Sequence, residues 1–248
     1  MAMESWGSAY RLGGWALAIV LGLCAATSLA SAGGLPERFS ATYDVIAYGV
    51  TVGETRWTLE PESAGRSRFQ SQTRPVGLAS LVLDGERREH SLFTLDDSGR
   101  PQPLQYRFER SGPRARKAAI DFDWKALKAV STYRDRTLEL SLTPGTLDGM
   151  VYVLALMQEL AANRPETRLQ VAERGKVKTY VVKREGEERI ETALGRLDTV
   201  RISRSTDDER KTTVWAAPKL RFLPARIEHR DPEVTPLTLR LRSAQLAP

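Results

Sequence analysis

The chain has 248 residues, 41% hydrophobic and 27% charged, and carries a net charge of +6. It has one cysteine and two histidines, which excludes an internal disulfide framework and makes a histidine- or thiolate-rich metal centre untenable. A basic balance of this size directs attention to anionic lipid head groups and polysaccharides, and no nucleic-acid partner is expected.

Residues 1–32 read as a cleavable signal peptide. Arg11 supplies a positive start, Trp15 to Leu29 is an apolar run, and Ala30-Ser31-Ala32 predicts cutting before Gly33. The run is short for a membrane span. Leu23 precedes Cys24 and is large where a lipidation site needs a small residue, so acylation is not expected. Cleavage removes the only cysteine and with it any thiol chemistry. The remainder, 33–248, is expected to be one β-rich periplasmic domain with no transmembrane segment.

In the mature chain, Phe39, Ala41, Tyr43 and Val45 alternate with polar residues, the pattern of a strand with one buried face. Gly49 and Gly53 interrupt the pattern that leads to Trp57 and Leu59, which predicts a bend, bulge or close backbone approach. Arg66–Thr73 reads as a polar strand, Pro75–Leu83 as an apolar run ending at an Asp84-Gly85 turn, and His90–Leu95 as a further strand. Leu104, Tyr106 and Phe108 then alternate, followed by strands at 119–124, 126–132 and 138–142.

Pro144-Gly145 breaks this series, and a helix is predicted over about 146–162. Thr146 is the expected N-cap, with Asp148 in the first turn. Leu147, Met150, Val151, Leu154, Met157 and Ala161 follow helical spacing. Val153, Leu156 and Leu160 widen the stripe, so the helix should be enclosed. Asn163-Arg-Pro165 ends it. Strands are predicted again at 168–172, 179–183, 189–192, 198–203, 212–216, 225–229 and 237–241, with turns that include Glu185-Gly186 and Thr206–Arg210.

So many short strands cannot stay in one flat open sheet. The economical arrangement is a strongly curved antiparallel sheet, a half-barrel or open barrel, clasping one buried α-helix; a closed barrel and a two-sheet sandwich are the alternatives.

No signature of catalysis stands out. There is no Gly-x-Ser-x-Gly elbow and no phosphate-binding glycine loop. His90 and His229 lack partners at zinc-site spacing. Asp121 and Asp123 share one strand face but form no calcium loop. No cofactor and no metal are expected. The candidate ligand-binding residues are Asp148, Tyr152, Trp57, Tyr106, Trp124 and Trp215. The aromatics can stack on sugar rings or lipid, and can equally be ordinary core. Asp148 and Tyr152 are four apart, on one helix face. The alternative for that pair is a capping carboxylate and a phenol bonded to the sheet.

Four stretches resemble a family. They are Thr143–Leu154, Tyr43-Asp-Val with Gly49 and Gly53, Gly175-Lys-Val-Lys-Thr-Tyr180, and Val214-Trp-Ala-Ala-Pro218 followed by Leu223-Pro-Ala-Arg226. In this order they are similar to the bacterial exported-protein family known as domain of unknown function 3108. The resemblance implies a mostly β envelope protein and carries over no catalytic residue. The expected function is non-enzymatic binding of a lipid, glycan or envelope polymer in the concave face, the ligand being an anionic lipid or polysaccharide. The alternatives are an envelope polysaccharide hydrolase using Asp148 as one carboxylate, and a scaffold for a protein partner that the sequence does not identify.

Overall fold

A computed structural model describes residues 34–77, 80, 85–113, 115–134, 136–205, 211–231 and 234–247. The expected signal peptide with Cys24, most of the apolar run 75–83, Asp84 and the turn 206–210 lie outside the described residues.

The described chain is mainly strand. The first half contains β1 (Phe39–Ala47), β2 (Val50–Pro61), β3 (Ser67–Pro75), β4 (Arg87–Leu95), β5 (Pro101–Arg110), β6 (Arg116–Asp123), β7 (Lys128–Tyr133) and β8 (Arg136–Ser141). The second contains β9 (Leu147–Asp148), α1 (Val151–Ala161), β10 (Glu166–Glu173), β11 (Lys176–Thr192), β12 (Gly195–Ser205), β13 (Lys211–Ala217), β14 (Leu223–Asp231) and β15 (Val234–Leu246). All the strands belong to one sheet, in the order β8 to β1, then β15 to β9. Two meanders therefore join where the first strand pairs with the last. Neighbours are antiparallel except β9, which runs parallel to β10.

The sheet curls as expected without closing into a ladder. Its far edges approach where Gly175, in the β10–β11 turn, faces β8. An added Cβ there would lie 2.7 Å from Leu138 Cδ1, and Gly175 has φ +79°. Closer to the middle, Tyr43 is fully buried and donates its hydroxyl to the Pro224 carbonyl at 3.0 Å, joining the two meanders.

β1 behaves as its alternation predicts, with Phe39, Ala41, Tyr43 and Val45 buried. Gly53 marks both a bulge and a close approach. The β1–β2 register slips beside it, and a Cβ would meet the Arg74 carbonyl at 3.0 Å. The turn expected at Glu185-Gly186 does not form. β11 runs unbroken from Lys176 to Thr192, and the register slips between Arg184 and Gly186. A bulge absorbs the extra residue while the ladder continues, and Gly186 adopts the φ of +144° that this requires.

The helix is shorter at its start than expected. Leu147 and Asp148 pair with Val171 and Ala172 as β9, so α1 begins only at Val151. Thr146 does not cap it; its hydroxyl donates to the Thr143 carbonyl at 2.7 Å. The Asp148 carboxylate does that work, accepting from the Met150 and Val151 amides at 2.8 and 3.0 Å. Strand pairing fixes the backbone at 147–148, so helix propensity has no say there. Gly149 consequently precedes the helix. At the other end Asn163, with φ +56°, terminates it.

α1 fills much of the interior. Val151, Leu154, Met157 and Leu160 are at most 4% exposed, and each such side chain contributes roughly 1.5–3 kcal/mol on burial. Phe39, Tyr43, Trp57 and Phe69 form an aromatic cluster in the same core, with ring centroids 4.8–5.8 Å apart. A smaller cluster of Ile120, Ala129, Leu140, Leu142 and Ala172 ties β6, β7 and β8 to β10. No helix among the described residues is long and apolar enough to cross a membrane.

Candidate functional site

Past the N-terminus of α1 the interior is not filled. A cavity of about 460 Å³ opens there, within the roughly 300–1,000 Å³ typical of small-ligand sites. One wall comes from the first meander: Arg87 and Glu89 of β4, Tyr106 and Phe108 of β5, Arg116 of β6. The opposite wall comes from the second: Glu173 of β10, Arg174 of the following turn, Lys178 and Tyr180 of β11, Arg204 of β12. Gly149 and Tyr152 contribute from the start of α1.

The strand registers put these side chains on one face. Glu89 lies opposite Phe108, which lies opposite Ala118. On the other side Val182 lies opposite Arg204, which lies opposite Thr212. Side chains two residues apart share a face, so Lys178, Tyr180 and Val182 form one inward row.

The chamber is cationic. Five basic side chains (Arg87, Arg116, Arg174, Lys178, Arg204) face two carboxylates, Glu89 and Glu173. Both carboxylates are already engaged. Glu89, 7% exposed, accepts from the Tyr106 hydroxyl at 2.6 Å and pairs with Arg87. Glu173 accepts from the Tyr180 hydroxyl at 2.8 Å and pairs with Lys178 at 3.1 Å. Burial pushes the Glu173 carboxyl up, but the hydrogen bonds from Tyr180 and Lys178 outweigh it and hold the group below its ordinary range. Burial, reinforced by the adjacent carboxylate, drives both phenols upward, so Tyr106 and Tyr180 remain neutral donors.

Arg204 is the most constrained cation. Its guanidinium sits 4.3 Å from the Tyr180 ring centroid. Nη2 donates to Thr212 Oγ1 at 2.8 Å and Nη1 to the Tyr152 hydroxyl at 3.4 Å. Its Nε is buried with no hydrogen-bond partner. Among the described residues, Arg116, Arg174 and Arg204 form no ion pair.

A model of the family described as protein of unknown function, DUF3108, matches residues 38–235. The chain belongs to this family. No curated protein sequence matches the chain. Among solved structures, the β-barrel-like protein of domain of unknown function DUF1849 from Brucella abortus is 12% identical, with a TM-score of 0.53 over 87% of this chain and 99% of that one. A candidate lipoprotein from Parabacteroides distasonis is 9% identical, with a TM-score of 0.34 over 86% and 98% of the two chains. A candidate exported protein with a YmcC-like fold from Bacteroides fragilis is 9% identical, with a TM-score of 0.30 over 86% and 97%. The first likeness is one of fold, a β-barrel-like sheet.

In this DUF3108 chain the residues singled out by sequence are scattered. Tyr106 and Tyr152 line the chamber. Trp57 lies in the aromatic core, 7% exposed. Trp215 is equally buried and donates its indole N–H to Glu188 Oε2 at 2.9 Å, with Arg226 over the ring. Trp124 stacks on Phe122 and donates to the Pro103 carbonyl at 2.7 Å. Asp148 lies behind the chamber wall and is fully buried. Besides the helix amides it accepts from Ser91, whose Oγ is 2.7 Å from both carboxylate oxygens. Burial raises its carboxyl to about 6, against the pull of those hydrogen bonds and with some help from the Glu89 charge. Asp121 pairs with Arg107, and Asp123 accepts from the amides of its own turn. Among the described residues no cluster of His, Cys, Asp and Glu is arranged to hold a metal.

The chamber's cations and its two carboxylates escaped the sequence reading. The signal was a charged residue where alternation calls for an inward position, as at Lys178 and Arg204.

Proposed function

We propose that this chain is an exported cell-envelope protein that binds an anionic ligand, without transforming it, in the chamber beside α1. The observation that carries the reading is the charge excess: five cations against two carboxylates that are already paired. Enclosure by low-dielectric walls strengthens the attraction of such a site for an anion. The leader pattern at residues 11–32 supports export. Tyr106, Tyr152 and Tyr180 supply flat faces and hydroxyls suited to a polar organic ligand. A hydrolytic role for Asp148 finds less support, because its carboxylate is enclosed and bonded to the helix start and Ser91.

The test is a binding screen of the mature chain, 33–248, against envelope lipids and glycans, read by thermal shift at low and physiological salt. Anionic members should raise the melting temperature in a salt-dependent way, and neutral members should not. Equal responses to charged and neutral compounds, or no response to any, would refute the reading.

A further inference from the structure

The arrangement of the chamber narrows the class of anion, on the premise that the chamber is the binding site. We propose that it receives a phosphorylated saccharide, the phosphate held by arginines of the two walls and the sugar ring lying among the tyrosines.

Charge is the first argument. The chamber carries an excess of three positive charges, and an excess of two remains if the buried Asp148 behind it is ionised. A single carboxylate leaves most of that excess in place. A phosphomonoester brings about −1.5 to −2 at neutral pH and three acceptor oxygens.

The second argument is the kind of cation. Four of the five basic side chains are arginines. The guanidinium stays charged in any surroundings and offers a planar fork that matches phosphate oxygens, whereas lysine acts as a point charge. Arg204 is already oriented by Tyr180, Tyr152 and Thr212. Arg116 faces it from the other meander, its guanidinium 5.3 Å from the Phe108 ring centroid and without an ion pair among the described residues. A phosphate engaging both would bridge two halves of the sheet whose far edges share no ladder.

The third argument separates sugar from acyl chain. The apolar part of the interior, where a fatty chain would lie, is occupied by Leu154, Met157 and their neighbours on α1. The chamber itself is walled by tyrosines and polar groups, with Ile120 its largest aliphatic side chain. Tyrosine faces suit the C–H surfaces of a sugar ring, and their hydroxyls suit its oxygens. The helix start adds no free donor, because Asp148 takes the amides of Met150 and Val151.

Calorimetric titration of the mature chain decides the matter, with glucose 1-phosphate, inorganic phosphate, glucuronate, methyl glucoside and dihexanoyl phosphatidic acid as probes. Glucose 1-phosphate should bind most tightly, with glucuronate weaker by about tenfold or more and methyl glucoside silent. Arg204→Gln and Arg116→Gln should each weaken it by about tenfold or more. Arg189→Gln, whose partner Asp198 lies on the outer surface, should change nothing. Should Arg204→Gln fail to fold, Arg116→Gln alone carries the mutational arm.

Glucuronate binding as tightly as the sugar phosphate would overturn the phosphate assignment and leave anion binding standing. Preference for phosphatidic acid or for free phosphate would overturn the saccharide. Silence from every probe in this titration would overturn the proposal, and silence from the envelope screen as well would overturn the binding reading beneath it.

Discussion

Around α1 the interior is apolar, while past the helix start the same strands turn charge inward. On β11, Val182 packs in the core, and Tyr180 and Lys178 on the same face line the chamber. On β4, Phe93 is core and Glu89 and Arg87 are chamber. On β14 the change falls between Ile227 and His229. Over these stretches the facing direction is constant; only the chemistry of the inward residue changes. A core that needed only stability would have continued the apolar row, since burying a charge costs several kcal/mol unless it is paired. Of the three arginines without a described acidic partner, only Arg204 is half-buried and meets that cost; Arg116 and Arg174 are exposed.

The comparison can be broken first on the apolar side. Leu154 is fully buried in α1, and Leu154→Ala should cost about 2–5 kcal/mol, read as a lower urea midpoint at unchanged slope. A loss below about 1 kcal/mol would mean that the helix is not the plug described above.

Asp148 sits at the boundary between the two regions and gives a pH signature. Its folded value of about 6 lies above the ordinary 3.8. The folded state therefore holds the proton more tightly. Its stabilising effect is complete below about pH 3.8 and is lost as pH rises through about 6, a fall of about 3 kcal/mol. Urea denaturation between pH 4 and 7 should show that decline, and Asp148→Asn should flatten it. A slope unchanged in the variant would assign the titration to another group.

The smallest effect belongs to the chamber. Arg116 is exposed and meets only Phe108 among rings, so Arg116→Gln should alter stability by less than about 1 kcal/mol. The same substitution should depress ligand binding strongly. Loss of stability comparable to Leu154→Ala would make Arg116 a structural residue and dissolve the contrast between the two regions.

Much of the fold was legible in the chain because period-two alternation survives folding. Phe39 to Val45 declared a half-buried strand, and the nearly all-round apolar surface of 151–160 declared an enclosed helix. What misled were local signals with two physical outcomes. Gly186 looked like a turn and is a bulge, because a glycine permits either. Thr146 looked like a cap, but the pairing of 147–148 with 171–172 (a contact across more than twenty residues) decides where the helix can start.

The sequence alone determined the β-rich class, an enclosed helix and the family, since each follows from composition, periodicity or contiguous motifs. Only the tertiary structure decided the site. Arg116 and Arg204 sit on opposite meanders, nearly ninety positions apart, and no local pattern connects them. The curl of the sheet brings them to one chamber, which the helix, filling the adjoining interior, leaves open.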